Sequence, residues 1–428
     1  MKTKLLLMKE KESLNVVNDQ IGFPKIQIQN MKNKFRILVV FGTRPEAIKM
    51  APLVKQLLLN NKVETIVCVT AQHRQLLDQV LDIFKIHPHY DLNLMQKSQD
   101  LFQITTNVLN QLKEILEKVE PNLVLVHGDT STSMAAALAS FYKKIPVGHV
   151  EAGLRTYNLE SPWPEEANRQ ITSRIAQLNF APTEINKGNL LKEGIAKDKI
   201  YVTGNTVIDA LTIIRNKIKC DGSIKESLIQ KLIGSGINDD KIKSWGSNNR
   251  KLILITAHRR ENFGNNFLNI FKAIKALSLN FTDVDFVFPM HLNPNLRKAF
   301  NEVFDSHSTI INNSRSNLYF IEPIDYISFV CLMELTFLIL TDSGGVQEEA
   351  PMFGIPVLVM RDTTERPEAI ASGCSKLIGA EISNIIEEVS RLITDTSHYQ
   401  AMSHSKSPYG DGFASQNIVN IILNFFNI

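Results

Sequence analysis

The sequence contains few cysteines, no long apolar run and no excess of one charge. Its four cysteines, Cys68, Cys220, Cys331 and Cys374, lie far apart without a Cys-x-x-Cys pair, and three of them stand in or beside apolar runs, as buried free thiols do. We therefore expect a reducing, cytoplasmic compartment. No apolar run approaches the roughly 18 residues of a membrane span, so no membrane contact is expected. The formal net charge is only +3, which does not favour nucleic acid as a partner.

Several signatures of cofactor-dependent enzymes are also missing. The sequence has no Gly-x-Gly-x-x-Gly fingerprint and no Gly-x-x-x-x-Gly-Lys phosphate loop. No tyrosine has a lysine four positions further on, a spacing typical of NAD-using sugar epimerases and reductases. His87 and His89 flank Pro88 with no third ligand evident, so the histidines show no zinc spacing. These absences disfavour a nicotinamide cofactor and a metal.

The length and the apolar pattern predict two α/β domains. The 428 residues, 44% of them hydrophobic, suffice for two substantial cores. Short apolar runs alternate with amphipathic stretches until about residue 205, and the same rhythm restarts at residue 252 after a polar region at 216–250. That rhythm is typical of β-α units on a parallel sheet. We predict two doubly wound, Rossmann-like domains, residues 35–205 and 206–412, that face a central cleft.

The two ends of the chain differ in character. Residues 1–34 are polar and carry no strand pattern, so we expect a poorly ordered extension. Because the first apolar run follows at once, we hypothesise that Met31 is the functional start. The tail 414–426 repeats apolar residues at helical spacing, and we expect the segment 413–428 to form a helix that packs on the fold.

A glycine-rich turn is the first candidate for a binding site. Open α/β sheets bind ligands beyond the carboxyl ends of their strands. There, the run Asp342-Ser343-Gly344-Gly345 precedes a helical pattern that starts at Val346. Its glycines allow close approach to a ligand, the amides at a helix start suit a phosphate, and Glu349 can accept hydrogen bonds from sugar hydroxyls. The turn alone fits a capped Gly-rich loop equally well.

Basic residues follow other predicted strands. Arg44 precedes Pro45, which suits the first turn of a helix, but an arginine at this positive helix end is disfavoured as a simple cap. A bound anion would explain it. His258 with its neighbouring arginines, and the run 361–368, are also too polar for a core. Such groups commonly hold phosphates, although surface salt bridges would account for them as well.

Three acidic residues converge at strand ends of the first half. Glu151 directly follows one apolar run, Asp129 is the third residue after another, and Glu165 comes soon afterwards. A single aspartate at such a place is most often a helix cap. Three together favour acid/base work or the stabilisation of positive charge.

Long strings of the sequence resemble the non-hydrolysing UDP-N-acetylglucosamine 2-epimerases, in order from about residue 36 to the end. They are FGTRPEAIKMAPL (41–53), TAQHRQLLDQVL (70–81), VHGDTSTSMAAALA (126–139), GHVEAGLRT (148–156), SPWPEEANR (161–169), AHRRENFG (257–264), LTDSGGVQEEAP (340–351) and MRDTTERPEA (360–369). The resemblance implies a GT-B-type fold whose C-terminal helix crosses back to the first domain. It also implies a homodimer that uses neither NAD nor a metal.

The resemblance further implies interconversion of UDP-N-acetylglucosamine and UDP-N-acetylmannosamine. UDP is eliminated across C1–C2 and added back with the other configuration at C2. The residues that would bind UDP are Arg44, His258, Ser343, Gly344, Gly345 and Arg366 at the diphosphate, Glu349 at the ribose and Phe329 at the uracil. The residues that would surround the sugar are Lys49, Asp129, Glu151 and Glu165.

This residue set suits the chemistry. The C2 proton is not acidic, so UDP must begin to leave first, and Arg44, His258 and Arg366 would stabilise its charge. Carboxylates beside Lys49 would then stabilise an oxocarbenium-like C1 while one of them removes the proton. Which of Asp129, Glu151 and Glu165 is the base stays open.

Members of this family often bind a second UDP-N-acetylglucosamine as an activator. The matching positions are Gln72, Gln75, Arg259 and His291. Here Asn107 stands where activated members typically carry arginine, which leaves activation open. Ile324 takes the place of a glutamine that contacts the base in some members.

Three alternatives remain at this point. The first is a glycosyltransferase of the same architecture, which would need an acceptor, and the second is a UDP-sugar-binding regulator that has lost catalysis. Intact Asp129, Glu151 and Glu165 argue against the regulator. The third alternative keeps the chemistry but acts on another UDP-2-acetamido sugar.

Overall fold

The computed structural model describes residues 34–70, 74–94, 100–246, 249–304 and 317–428. The described residues include only Lys34 of the predicted N-terminal extension. Met31 and Gln72 lie outside them. The framework within these ranges is two parallel sheets.

The first sheet has seven strands. They are β1 (Phe35–Phe41), β2 (Val63–Val69), β3 (Tyr90–Asp91), β4 (Leu123–His127), β5 (Val147–Val150), β6 (Leu178–Ala181) and β7 (Ile200–Val202). Their order across the sheet is β3-β2-β1-β4-β5-β6-β7. The first strand therefore lies near the middle of the sheet, and the later strands extend the sheet in both directions. Ile37 of β1 pairs with Thr65 on one side and with Leu123 on the other.

The second sheet has six strands. They are β8 (Lys251–Thr256), β9 (Val284–Pro289), β10 (Leu318–Ile321), β11 (Leu338–Thr341), β12 (Val357–Val359) and β13 (Ser375–Leu377). Their order is β10-β9-β8-β11-β12-β13, again with the first strand inside the sheet. In both sheets the order reverses beside the first strand, where α/β folds open a ligand crevice.

Helices connect and cover these strands. The α-helices are α1 (Arg44–Leu58), α2 (Arg74–Phe84), α3 (Leu101–Val119), α4 (Ser131–Tyr142), α5 (Glu165–Ile175), α6 (Glu184–Lys192), α7 (Thr206–Cys220), α8 (Gly222–Gly234), α9 (Asp239–Gly246), α10 (Asn265–Asn280), α11 (Pro294–Phe304), α12 (Tyr326–Glu334), α13 (Gly344–Glu349), α14 (Pro367–Ala371), α15 (Ile382–Thr394), α16 (Thr396–Ser403) and α17 (Ala414–Phe426). Short 3-10 helices span Lys197–Lys199, Arg260–Asn262 and Ala350–Phe353.

The predicted α/β class with two doubly wound sheets is confirmed. The apolar runs become strands because parallel strands covered on both faces exclude water from every side chain. The four residues of β1 from Ile37 to Val40 are completely buried. Strands β3 and β13 were not predicted from the sequence, because two or three residues carry too little periodicity to detect.

The C-terminal segment forms the helix α17. Helix α17 packs against α1 and α7, and the Phe426 ring lies 4.7 Å from that of Phe35, in the first strand. Asp209 of α7 accepts hydrogen bonds from the amides of Ala414 (3.2 Å) and Ser415 (2.7 Å) at the start of α17. This carboxylate satisfies amides that have no partner within the helix.

Helix α7 lies between the two halves of the molecule. It packs against α1, which follows the central strand of the first sheet, and against α12 of the second half. The limits 35–205 and 206–412 stay a prediction, and the predicted division falls at the first residue of this shared helix.

The cysteines follow the predicted pattern. Cys68, Cys331 and Cys374 are buried free thiols, and Cys220 is exposed at the end of α7. Within the described ranges, no helix combines the length and the apolar character needed to cross a membrane.

Candidate functional site

A cleft of about 540 Å³ opens beyond the carboxyl ends of strands from both sheets. The predicted site residues that line it are Arg44, Lys49, Asp129, Glu151, Glu165, His258, Arg259, His291, Phe329, Ser343, Gly345, Glu349 and Arg366. Gly344 lies behind this surface. Gln72 and the side chain of Gln75 lie outside the described part of the chain. The fold thus gathers residues that are more than 300 positions apart in sequence.

The loop after β1 is fixed by a buried carboxylate that sequence reasoning overlooked. Glu46 accepts hydrogen bonds from the amides of Gly42 (3.0 Å) and Thr43 (2.7 Å) and from the hydroxyls of Thr130 (2.6 Å) and Ser133 (3.0 Å). Burial raises the pKa of Glu46, and these donors oppose the rise. The Thr-x-x-Glu spacing of a capping box was a detectable signal. Glu46 therefore joins the loops after β1 and β4.

Arg44 is a half-buried cation at the start of α1. Burial lowers its pKa, and Glu349, Tyr326 and Asp325 on the opposite side only partly offset that effect. A cation in this condition is stabilised by any anion that enters the cleft. The predicted anion site at Arg44 is consistent with this geometry.

Lys49 and Glu151 form an ion pair at the floor of the cleft. Lys49 Nζ donates to Glu151 Oε2, which also accepts from Asn205 Nδ2 at 3.1 Å. Glu151 has φ of 65°, in the left-handed region that residues other than glycine rarely adopt. Such backbone conformations cluster at functional sites, where surrounding contacts hold them in place.

Asp129 and Glu165 line the same side of the cleft as Lys49 and Glu151, which we call the first wall. Asp129 Oδ2 accepts from Arg169 Nη2 at 2.7 Å, and Asn168 donates to the Asp129 carbonyl oxygen at 3.0 Å. Burial, and then the charge of Asp129, raise the pKa of Glu165. Two neighbouring carboxylates, one of them with a raised pKa, suit acid/base work.

His127 is a further polar residue of this wall. Both ring nitrogens are buried without a hydrogen-bond partner in the described ranges, and Nε2 lies 3.9 Å from Glu151 Oε2. Burial, followed by the charge of Lys49, lowers the pKa of His127 to about 3. Its imidazole is therefore neutral beside Glu151.

His258 is held by Asp342 at the end of β11. Asp342 accepts from the backbone amides of His258 (2.9 Å) and Arg259 (2.9 Å) and from Asn262 Nδ2 (3.0 Å). His258 Nδ1 lies 3.3 Å from Asp342 Oδ1, but burial lowers the pKa of His258 despite that charge. Asp342 therefore shapes the loop after β8 and does not line the cleft.

The two glycines of α13 have different surroundings. A Cβ on Gly344 would lie 2.4 Å from Arg366 Nη1, whereas the nearest neighbour of a Cβ on Gly345 would be Ser343 Oγ at 4.0 Å. Gly344 makes room for the Arg366 guanidinium, and Gly345 faces the cleft. Arg366 Nε donates to Glu348 Oε1 at 2.7 Å, and Arg366 Nη1 donates to Glu365.

The opposite side of the cleft, which we call the second wall, carries His258, Gly345, Arg366 and Glu349. Glu349 lies there beside apolar residues. Tyr326 donates its hydroxyl to Glu349 Oε1 at 2.8 Å. Burial raises the pKa of Glu349 to about 7. Phe329 and Ile324 line the cleft nearby and offer an apolar surface to a flat ring. Of the adjacent acids Glu348 and Glu349, the sequence singled out only Glu349, and Glu349 lines the cleft whereas Glu348 does not.

The cleft thus has two chemically distinct parts. One carries Arg44, His258 and Arg366, which suit the diphosphate of a nucleotide. The other carries carboxylates around a lysine, which suit a group that develops positive charge and loses a proton.

Beneath this site, Glu368 makes the stability of the protein depend on pH. Burial raises its pKa to about 7, with Arg366 and Glu348 nearby. The folded chain then keeps a proton that the unfolded chain, with a glutamate pKa of about 4.3, releases. This contribution is complete below about pH 4.3 and is lost as the pH rises through about 7. We therefore compare the free energy of unfolding of Glu368→Gln with that of wild type. We expect this difference to grow by about 2 kcal/mol in favour of the variant when the pH rises from 5 to 8.

Urea unfolding of both proteins at the two pH values measures this difference. Glu349 titrates in both proteins, so its effect cancels. Glu160→Gln, at an exposed position, is the matched control and should show no such change. A Glu368→Gln stability difference that does not grow with pH would contradict the assignment.

Comparison with known proteins shows the family of the chain. Residues 55–423 match the family model described as UDP-N-acetylglucosamine 2-epimerase. The UDP-N-acetylglucosamine 2-epimerase of Campylobacter jejuni is 52% identical over 91% of this chain and 97% of that protein. The enzyme of that name from Escherichia coli strain K12 is 50% identical over 91% of this chain and 98% of its own.

Solved structures give the same result. A crystal structure of UDP-GlcNAc 2-epimerase from Neisseria meningitidis, bound to UDP-GlcNAc, superposes with a TM-score of 0.83 at 51% identity and covers 91% of this chain and 100% of that one. The Methanocaldococcus jannaschii enzyme, in complex with UDP-GlcNAc and UDP, has a TM-score of 0.72 at 33% identity, with coverage of 91% and 100%. The chain belongs to the UDP-N-acetylglucosamine 2-epimerase family.

Proposed function

We propose that this chain interconverts UDP-N-acetylglucosamine and UDP-N-acetylmannosamine without hydrolysis. The observation that carries the proposal is the cleft with its two parts: cations beyond the second sheet and on α1, and carboxylates beyond β4 and β5. The family membership supports the choice of substrate, since relatives from two organisms have structures with UDP-GlcNAc bound.

In this proposal the diphosphate lies between Arg44, His258 and Arg366. Ser343 and Gly345 supply polar backbone beside it, and Gly344 supports the site through Arg366. Glu349 accepts from the ribose hydroxyls, oriented by the Tyr326 hydroxyl. Phe329 packs against the uracil.

The sugar then lies against the first wall, near Asp129, Glu151, Glu165 and Lys49. The C1–O bond breaks with its electron pair passing to UDP, and one carboxylate takes the C2 proton, which leaves a C1=C2 double bond. Reversal adds UDP at C1 and a proton at C2 from the opposite face. Arg44 and Arg366 stabilise the charge on departing UDP, and the carboxylates stabilise positive charge at C1.

We further propose the cellular and structural setting. The enzyme works in the cytoplasm as a homodimer, with a first domain at 35–205, a second domain at 206–412 and the final helix returned to the first. It needs neither NAD nor a metal. Activation by a second UDP-sugar through Gln72, Gln75, Arg259 and His291 stays a prediction.

Incubation with UDP-N-acetylglucosamine alone in heavy water tests the function. We expect deuterium at C2 of both sugars and a manno product that still carries UDP, because the proton is exchanged while UDP stays bound. Mass spectrometry and proton NMR measure both. Absence of exchange until an acceptor is added would indicate a glycosyltransferase instead. UDP binding without either reaction would indicate a regulator.

The same assay decides the sugar. Initial rates with other UDP-2-acetamido sugars should be lower than with UDP-N-acetylglucosamine. A higher rate with one of them would replace the proposed substrate and leave the chemistry unchanged.

A further inference from the structure

Glu348 is a buried acid that lies behind the cleft. Its side chain is 1% exposed and does not line the cavity. It contacts two residues that do line the cavity. Glu348 Oε1 accepts from Arg366 Nε at 2.7 Å, and Glu348 Oε2 lies 2.7 Å from Lys49 Nζ.

These contacts form a line of alternating charge between the two walls. Glu151 follows β5, Lys49 is on α1, Glu348 is on α13 and Arg366 precedes α14. The two outer contacts are those of Lys49 with Glu151 and of Arg366 with Glu348. Glu348 therefore joins the two sides of the site. One is the sugar wall, with Asp129, Glu151, Glu165 and Lys49, and the other is the diphosphate wall, with His258 and Arg366.

The electrostatics explain why an acid is needed between the two cations. Burial lowers the pKa of Lys49, but Glu151 and Glu348 outweigh it and raise the pKa, whereas Arg366 acts to lower it. Burial likewise lowers the pKa of Arg366, and Glu348 and Glu365 raise it well above its ordinary value. Without Glu348, two buried cations would repel each other with no acid between them.

Stability alone does not account for such a group. Desolvation of a buried ion pair offsets most of its attraction, and apolar replacements are often as stable. These ion pairs instead fix the orientation of the two cations, because Lys49 must point to Glu151 while Arg366 points to the cleft. A misplacement of about 1 Å in an active site costs about 10²-fold in rate.

We propose that Glu348 is a positioning residue for the reaction, which rests on the proposed function. It holds Lys49 against Glu151 at the sugar and Arg366 at the diphosphate, and so fixes the leaving group relative to the groups that act on C1 and C2. It acts through these two cations and does not touch the substrate.

Glu348→Gln tests this role because it keeps the shape and removes the charge. We expect turnover, measured as deuterium incorporation at saturating substrate, to fall about 10²-fold. The affinity for UDP, measured by calorimetric titration, should stay equal or become tighter, because one negative charge is lost beside Arg366. A loss of structure would weaken UDP binding instead. Wild-type turnover, or parallel losses of turnover and UDP affinity, would overturn the proposal.

Two further variants complete the test. Glu348→Asp keeps the charge but is too short to reach both cations, so we expect turnover between those of wild type and Glu348→Gln, with wild-type affinity for UDP. Wild-type turnover in Glu348→Asp, or turnover no better than in Glu348→Gln, would count against the proposal. Should Glu348→Gln not fold, Glu348→Asp decides alone. Glu388→Gln is the matched control, since Glu388 pairs with Lys376 at 2.6 Å away from the cleft and should change neither quantity.

The two hypotheses fail in different ways. If wild type incorporates no deuterium, the proposed function fails. The UDP titration still shows whether removal of the Glu348 charge beside Arg366 changes the affinity for UDP. If wild type turns over and Glu348→Gln does so equally well, only the role of Glu348 fails.

Discussion

Asp129→Asn is expected to bind UDP as wild type does and to turn over at least about 10³-fold more slowly. Asp129 stands on the sugar wall, where Arg169 holds its carboxylate at 2.7 Å. Asparagine has the same shape and keeps an oxygen for Arg169, but it can neither take a proton nor stabilise positive charge at C1. The cations proposed to bind the diphosphate are on other elements and keep their positions.

Deuterium incorporation at saturating UDP-N-acetylglucosamine measures turnover, and calorimetry measures UDP affinity. Asp240→Asn, on the exposed face of α9, is the control and should match wild type in both. Near-normal turnover of Asp129→Asn would remove this residue from the proposed chemistry. A loss of UDP affinity that matches the loss of turnover would instead indicate a structural role.

The strands and the loops that follow them were predictable for a simple reason. A parallel strand buried on both faces needs a continuous apolar run, and both sheets consist of such runs. The residue after each run then falls at the carboxyl edge, so Asp129, Glu151 and His258 could be assigned to the cleft before any coordinates. The edge strand at Tyr90–Asp91 is too short to leave such a pattern.

The supporting residues could not be found in this way. Glu46, Asp342 and Glu348 are acids next to turns, and the sequence gives no sign that each is buried and shared between elements distant in sequence. Their partners become visible only when the sheets bring strand ends together. Asp342 illustrates this, because its neighbours in sequence predict a phosphate turn, whereas its carboxylate holds the loop of His258.

The difference between Gly344 and Gly345 was equally hidden. Both are needed at a turn where backbone approaches other atoms, but the sequence does not state which atoms those are. The structure shows the difference, because a Cβ on Gly344 would lie 2.4 Å from Arg366 Nη1, whereas a Cβ on Gly345 would lie 4.0 Å from its nearest neighbour, Ser343 Oγ.

Gly344→Ala is therefore expected to weaken UDP binding about 10²-fold, or about 2.7 kcal/mol. The new methyl would lie 2.4 Å from Arg366 Nη1 and 2.6 Å from its Cζ. The guanidinium cannot yield easily, because Glu348 and Glu365 hold it in a buried position. The methyl must displace it, which removes a cation from the proposed diphosphate site and disturbs Lys49 through Glu348.

Calorimetric titration with UDP measures this effect, and circular dichroism with thermal unfolding establishes that the variant is folded. Gly222→Ala is the matched control, since a Cβ there meets no atom within 4 Å at the start of α8, and its UDP affinity should equal that of wild type. If folded Gly344→Ala binds UDP within about twofold of wild type, then either Arg366 moves without cost or it does not bind the diphosphate. Turnover separates these two cases. If Arg366 moves without cost, turnover stays that of wild type. If Arg366 is displaced but does not bind the diphosphate, turnover falls, because its displacement disturbs Lys49 through Glu348.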